Sequence, residues 1–364
     1  MMNTYPTMRR ALGAPSLAAA LILGALAPVA GSSAQDMPET KLRVIGGYST
    51  LVQTQHVEKP FWLEEIPADS GNKITVEYAS YDVMGLQEQQ LLRLTASGVA
   101  DFASTDIVKV AGDEPAFEGC DLTGISPDLE TAHKACKAWA PEVSRIMEQK
   151  FNTKLLGLAP NPGLIFWCRP EIRGLQDIKG KKVRVNSRTM SDMVVALGGS
   201  PVTTPFGEVV PALQRGVFDC AITGSLAGNT AGWGEVTKFL LPVPINWSIY
   251  YQSVNLKSWN NFDPAVREYL TKKFESLDER LWAIGAKANQ EGIDCNTGKD
   301  PCTLGRKEAM TLVPPTDADK ALIKKIAQEV VLPQWAKRCG KECAGRWNET
   351  VGKVVGMQID LSKL

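Results

Sequence analysis

The chain has 364 residues, of which 44% are hydrophobic and 22% are charged. This composition is typical of globular proteins, and the length predicts roughly two domains of about 150 residues each. Forty basic and forty acidic residues give a formal net charge of zero. Because nucleic-acid-binding proteins usually carry a basic excess, composition excludes that class together with disordered and collagen-like chains.

The first 34 residues have the pattern of a secretory signal peptide. Arg9 and Arg10 precede an apolar run over residues 17–30, and small residues suitable for cleavage follow this run. A short membrane anchor is the alternative, but the apolar run is too short to span a bilayer. Cleavage would remove two arginines and no acids, which leaves 38 basic and 40 acidic residues. We therefore predict a weakly acidic, exported mature chain without membrane insertion.

All eight cysteines follow the predicted cleavage site, in a compartment where disulfides persist. Eight cysteines allow on the order of 100 pairings, so the sequence alone leaves the connectivity open. Loop length favours Cys295–Cys302, Cys339–Cys343 and Cys120–Cys136, with Cys168–Cys220 remaining. A zinc site is the alternative because Cys339 and Cys343 have nearly metal-binding spacing. Export and the spacing of the other cysteines disfavour it, and no metal is predicted.

After the signal segment, strands and helices alternate along the chain. In the first half we predict strands at 41–47, 73–78 and 99–105 and a helix at 87–96. The second half repeats this order, with strands at 181–186 and 217–223 and helices at 190–197 and 208–214. The alternation predicts two similar α/β lobes with mostly parallel sheets.

Two short segments of the halves also match residue for residue. The run Gly98-Val99-x-Asp101-x-Ala103-x-Thr105 matches residues 216–223, and Lys41-x-Arg43-Val44 matches residues 182–185. The second match makes Arg43 the residue of the first half that is equivalent to Arg184.

Long helices are predicted beyond the second half. Asp263-Pro264 is a typical helix start, and the helical pattern continues to about residue 290. At 1.5 Å per residue this helix would be roughly 40 Å long, enough to span both lobes. A last amphipathic helix is predicted at 317–335.

The lobes are expected to be assembled from separated segments. Lobe I comprises 35–163 and is completed by about 249–292, whereas lobe II comprises 164–248 and is completed by about 293–364. Ligands of open α/β sheets bind beyond the carboxyl ends of the strands. Residues 46–48 and 104–106 should therefore form one wall of a cleft, with 184–188 and 223–225 forming the other.

Signatures of enzymes are scarce in this sequence. It contains no dinucleotide-binding glycine motif, P-loop, nucleophile elbow or zinc-protease motif. His56 and His133 lack a paired nucleophile motif. Asp101 and Asp219 are the alternative as an acid–base pair, but their places beside turns favour hydrogen bonds to backbone amides. We predict no catalytic residue and no cofactor.

Arg184 is the strongest candidate for binding a ligand. A guanidinium presents a rigid fork of donors that can hold a carboxylate through two parallel hydrogen bonds. A solvent-exposed strand arginine is the alternative, for which Arg43 provides an example within the same chain.

The sequence around Arg184 resembles a known family. Residues 175–185, Leu-Gln-Asp-Ile-Lys-Gly-Lys-Lys-Val-Arg-Val, resemble a signature of solute-binding proteins of tripartite ATP-independent periplasmic (TRAP) transporters. The similarity continues through 196–201 and 205–219, and a weaker similarity covers nearly the whole mature chain. It implies an α/β, two-lobed periplasmic-binding-protein-like fold with a ligand cleft between the lobes and a long lobe-spanning helix.

The resemblance also implies roles for individual residues. Arg184 would pair with the carboxylate of an organic acid, Phe206 would pack against the ligand, Glu208 would lie beside it and Thr223 would contact it. Many family members carry an amide or an acid where this chain has Thr223, so the identity of the acid stays open. Cleft geometry adds Tyr48, Thr105, Asp106 and Trp233 as candidates. An aromatic acid is an alternative to a small aliphatic one, because nine tryptophans are available.

These observations favour an extracytoplasmic receptor that binds a carboxylate between closing lobes and delivers it to the membrane subunits of a TRAP transporter. The alternatives are a secreted two-lobed enzyme acting on a small acid, and a ligand-binding protein associated with a sensor.

Overall fold

A computed structural model describes residues 37–364, and the predicted signal peptide lies outside the described residues. Eleven strands occur in this range: β1 (Thr40–Gly46), β2 (Ile74–Ser80), β3 (Phe102–Asp106), β4 (Thr153–Pro160), β5 (Leu164–Cys168), β6 (Lys182–Val185), β7 (Ser200–Thr203), β8 (Cys220–Gly224), β9 (Phe239–Leu241), β10 (Ile249–Asn255) and β11 (Thr311–Leu312). The α-helices are α1 (Ile66–Asp69), α2 (Leu91–Ala96), α3 (Leu129–Phe151), α4 (Arg188–Ala196), α5 (Val209–Gln214), α6 (Ser225–Thr230), α7 (Leu256–Asn261), α8 (Pro264–Asn296), α9 (Asp317–Ile326), α10 (Leu332–Cys339), α11 (Lys341–Glu349) and α12 (Val351–Val355).

The strands form two sheets, one in each lobe. The first sheet has the order β2-β1-β3-β10-β4, and the second has the order β11-β9-β5-β8-β6-β7. Each sheet therefore combines strands from separated parts of the chain. The precise boundaries of the lobes remain a prediction.

Both sheets are mixed, which corrects the prediction of mostly parallel sheets. In the first sheet β10 runs antiparallel to β3 and β4, and in the second β5 runs antiparallel to β8 and β9. The reversed strands are the ones through which the chain enters the other lobe, since β5 follows β4 and β10 follows β9 directly. The remaining neighbours pair in parallel.

The predicted long helix is present as α8, with 33 residues. It begins where predicted, because the carboxylate of Asp263 accepts a hydrogen bond from the amide of Ala265 (2.8 Å). It packs on the first lobe through Trp282, whose indole donates to the Leu158 carbonyl (2.8 Å). Farther along, Gly292 lies so close to α6 that an added Cβ would collide with the backbone of Leu226. The helix therefore connects both lobes.

Two helical predictions need correction. The 23-residue helix α3, which contains Pro141, was not predicted; it begins after Asp128, whose carboxylate accepts a hydrogen bond from the Thr131 amide (2.7 Å). The predicted helix at 317–335 is present as α9, a π-helical turn at Ala327–Val331 and α10, and it is not the last helix, because α11 and α12 follow. No helix within residues 37–364 is long and apolar enough to cross a membrane.

The repeated glycine–aspartate element is a real structural repeat. Gly98 and Gly216 adopt left-handed conformations (φ 77° and 73°), and Asp101 and Asp219 each accept a hydrogen bond from a strand amide. These amides belong to Arg43 and Lys182, both at 2.9 Å.

These hydrogen bonds show that the predicted match of Lys41-x-Arg43-Val44 with residues 182–185 is shifted by two residues and therefore wrong. Since Arg43 and Lys182 occupy equivalent places, the residue of the first lobe that corresponds to Arg184 is Ile45. The strand pairing agrees, because Ile45 lies opposite Ala103 and Arg184 lies opposite Ala221. Arg184 is therefore a feature of the second lobe alone.

Four disulfides are present, and their pairing confirms the one favoured by loop length: Cys120–Cys136, Cys168–Cys220, Cys295–Cys302 and Cys339–Cys343. The second of these connects directly opposed residues of β5 and β8.

Candidate ligand-binding site

A cavity of about 40 Å³ lies between the two lobes, where strands of both sheets end. Asp106 at the end of β3 and Tyr48 after β1 contribute to its wall from the first lobe. Arg184 from β6 and Thr223 from β8 contribute from the second lobe. The cleft predicted from strand ends is therefore present, and it is narrow because the lobes are in contact.

Arg184 is a buried cation that has no anionic partner among residues 37–364. Only 1% of the residue is exposed, and its Nε and Nη1 donate to the carbonyls of Thr204 (3.0 Å) and Ile222 (2.9 Å). Among residues 37–364, no carboxylate lies within 4 Å of its nitrogens. Burial lowers the pKa of Arg184 to about 10, so the guanidinium stays charged at neutral pH. A buried charge of this kind attracts an anion that pairs with it.

The opposite wall carries two acids and one base. Asp106 Oδ2 accepts from the hydroxyl of Ser248 (2.5 Å), and its Oδ1 accepts from the Val108 amide (3.1 Å). Burial raises the pKa of Asp106 to about 6. Lys109 forms an ion pair with Glu88 (3.0 Å), and their side chains are only 9% and 12% exposed. The hydroxyl of Tyr81 also donates to Glu88 (2.8 Å).

Aromatic rings from both lobes meet beside the cavity. Tyr48 of the first lobe and Phe206 of the second pack edge to face, with ring centroids 5.1 Å apart. The approach is close, because a Cβ added at Gly207 would lie 2.9 Å from the Tyr48 hydroxyl. Burial raises the pKa of Tyr48, so this hydroxyl stays neutral. The pair is a direct contact between the lobes.

Five of the eight predicted ligand-binding residues line the cavity, and three do not. The five are Tyr48, Asp106, Arg184, Phe206 and Thr223. Thr105 is fully buried, and its neighbour Asp106 occupies the cavity wall instead, as the alternation of strand side chains requires. Glu208 is exposed to solvent. Trp233 is fully buried behind the wall, with its ring 5.7 Å from the Arg184 guanidinium and 5.5 Å from Phe206.

Several residues of the wall were not predicted. They are polar, and all except Asn186, which lies in the predicted wall 184–188, come from segments that the sequence analysis did not assign to the cleft: Tyr81, Glu88, Lys109, Asn161, Asn186 and Ser248. Asn161 and Ser248 lie where the chain crosses between the lobes, before β5 and before β10. Recognition of β4, β5, β9 and β10 would have located them, since crossing segments must pass the cleft.

Two α/β lobes with a cavity between them are the architecture of two-lobed solute-binding proteins. Residues 48–337 match the family model described as "Bacterial extracellular solute-binding protein, family 7" (DctP). The match covers most of the chain, so the chain belongs to this family, whose members are extracytoplasmic receptors. The resemblance found in the sequence is thereby confirmed.

Individual relatives agree with this assignment. The chain is 27% identical over 181 residues to the C4-dicarboxylate-binding periplasmic protein DctP of Rhodobacter capsulatus (49% of this chain, 54% of the relative). It is 25% identical over 181 residues to the uncharacterized protein YiiZ of Salmonella typhimurium (48% and 54%). The chain thus spans about half the length of these curated relatives.

Solved structures share the whole fold. DctP7 of Bordetella pertussis, an extracytoplasmic solute receptor binding pyroglutamic acid, superposes with a TM-score of 0.75 at 18% identity, covering 85% of this chain and 98% of that one. A TRAP solute-binding protein from Desulfovibrio salexigens with bound orotic acid gives 0.75 at 17% identity (86% and 99%). One from Rhodoferax ferrireducens with bound malonate gives 0.75 at 16% identity (86% and 98%). The predicted two-lobed fold is confirmed.

Proposed function

We propose that this protein is a periplasmic receptor that binds one small organic carboxylate between its lobes and delivers it to the membrane subunits of a TRAP transporter. The observation that carries this proposal is Arg184, a buried guanidinium held by two backbone carbonyls, with no carboxylate within 4 Å in the described part of the chain (residues 37–364). Pyroglutamate, orotate and malonate, the ligands bound by the similar structures, are all carboxylates. We propose that the ligand carboxylate occupies the free side of this guanidinium.

Contact between the lobes supplies the signal for delivery. Tyr48 and Phe206 contact each other across the cleft, and a ligand that bridges the lobes would stabilise this closed arrangement. A transporter that docks only with the closed form would then receive loaded receptor. The predicted signal peptide supports export to the periplasm, the compartment in which this delivery would take place.

We further propose that the protein has no catalytic activity of its own. Asp101, one candidate for acid–base chemistry, is bound by Arg43 (2.9 Å) and by the Ser258 hydroxyl (2.8 Å). The carboxylate of Asp219 is bound to the Lys182 amide. Neither aspartate lines the cavity, so both are better explained as supports of strand ends.

A thermal-shift screen of the mature protein against organic acids tests the function. The panel contains pyroglutamate, orotate, malonate, succinate and monocarboxylates of similar size. A ligand at 100 times its dissociation constant adds about 2.7 kcal/mol to the free energy of unfolding, which raises the melting temperature by several degrees. Recovery of the intact ligand after denaturation supports a receptor, whereas recovery of a product indicates an enzyme. If uncharged analogues stabilise the protein as well as the acids do, the carboxylate proposal is wrong.

A further inference from the structure

We infer that the site selects a small monocarboxylate with hydrogen-bond donors at the end opposite its carboxylate, and that Asp106 sets this selectivity. The inference rests on the proposed function, because it assigns the ligand carboxylate to Arg184. It concerns the end of the ligand opposite its carboxylate, and the cavity wall of the first lobe, which faces Arg184.

The cavity around this wall offers acceptors that have no donors: Asn161 lies where the chain crosses between the lobes, and Asn186 follows β6 of the second lobe. Asn161 and Asn186 both line the cavity, and each leaves its Oδ1 buried without a hydrogen-bond partner among residues 37–364. The orientation of both amides is fixed by their other atom. The Nδ2 of Asn161 donates to the Ser248 carbonyl (3.2 Å), and the Nδ2 of Asn186 donates to Asp106 Oδ2 (3.4 Å). Since these partners only accept, the amide oxygens are the atoms left unpaired.

Asp106 adds a third acceptor with remaining capacity. An ionised carboxylate has about four lone-pair sites, and only three donors reach this one, from Ser248, Asn186 and Val108. No lysine or arginine within residues 37–364 comes within 4 Å of it. A buried acceptor left unpaired costs free energy, which an N–H or O–H group of a ligand would recover.

The charges of the cavity exclude a second carboxylate. Arg184 and Lys109 are its cations, and Asp106 and Glu88 are its anions. Lys109 is already committed to Glu88, so Arg184 is the one cation of this set left for a ligand. A dicarboxylate would place its second charge against the two acids with no cation to compensate it, which is strongly unfavourable in a buried site.

Two matched sets of acids test the inference by calorimetry. L-pyroglutamate is compared with its γ-lactone analogue, in which an oxygen replaces the ring N–H. The linear acid γ-hydroxybutyrate is compared with pentanoate, which has a methyl group in place of the hydroxyl, and with succinate, which has a second carboxylate in place of the hydroxymethyl group. In each set we expect the donor-bearing acid to bind about 10- to 100-fold more tightly, because the analogue leaves buried acceptors unpaired.

The variant Asp106→Asn identifies the residue responsible. It removes the negative charge and adds an amide donor, so the preference for donor-bearing acids should fall at least several-fold while succinate gains affinity. Asp317→Asn is the matched control, because it makes the same change at an exposed position outside the cavity and should leave the preference unchanged. The wild-type comparison stands without the variant if Asp106→Asn fails to fold.

The outcomes separate the inference from the proposed function. If pentanoate, the lactone or succinate binds the wild-type protein as tightly as its donor-bearing counterpart, the inference is overturned while the carboxylate receptor stands. If none of the five acids binds but another carboxylate without a donor does, the inference is also overturned. If no carboxylate binds at all, the proposed function itself fails.

Discussion

Replacement of Arg184 by methionine tests the centre of the site. Methionine keeps much of the length and apolar volume of the side chain but removes the guanidinium. A carboxylate that entered the altered cavity would be buried without a cation, and breaking a buried ion pair costs about 3–5 kcal/mol. Affinity for the best acid should therefore fall at least about 100-fold, which isothermal titration calorimetry measures directly.

The same variant should change the stability of the ligand-free protein only modestly, because two effects oppose each other. Burial lowers the pKa of Arg184 from 12.5 to about 10, which corresponds to about 3 kcal/mol of destabilisation at neutral pH that the variant relieves. Against this, the carbonyls of Thr204 and Ile222 lose their donors, at about 1–3 kcal/mol each. Urea unfolding of both proteins without ligand measures the balance.

Two further variants make the result decisive. Arg184→Lys keeps the charge and loses the fork of donors, so its affinity should lie between those of the wild type and Arg184→Met. Arg215→Met removes an exposed arginine of the same lobe and should bind normally. Binding by a folded Arg184→Met protein within threefold of wild type would refute the assignment of the carboxylate to this residue.

Two more predictions concern pH and lobe closure. Burial raises the pKa of Glu58 and of Glu118 to about 7, so the stability that each contributes is full below about pH 4.5 and is lost as pH rises through 7. The free energy of urea unfolding should therefore fall between pH 5 and pH 8. The lowered pKa of His133 acts in the opposite sense, because it makes stability rise with pH. Glu118→Gln should make the dependence on pH weaker, and a free energy of unfolding that rises with pH in the wild type would contradict this prediction. Phe206→Leu removes the edge-to-face contact with Tyr48, worth about 0.5–1.5 kcal/mol, and should speed ligand release about 2- to 10-fold in stopped-flow measurements; an unchanged release rate would show that the ring pair does not hold the cleft closed.

Local features of the fold were predictable because short segments encode them. The start of α8 follows from Asp263-Pro264, and the repeated turn follows from a glycine and an aspartate three residues apart. The disulfide pairing followed from loop length, because short loops close at the lowest entropic cost. The reversed strands β5 and β10 were missed, since strand direction depends on which sheet the chain joins and not on the residues of the strand.

The candidate site divides in the same way. Sequence alone singled out Arg184, because a known signature surrounds it, and it placed Tyr48 and Asp106 at strand ends that face a cleft. It also produced a false correspondence between Arg184 and Arg43, which only the strand pairing corrected. The hydrogen-bond acceptors around Asp106 were decided by the tertiary structure, since Ser248 donates to Asp106 across 142 residues of chain. Periodicity and turn chemistry act over a few neighbouring residues, whereas the partners of a buried charge are fixed only when distant segments meet.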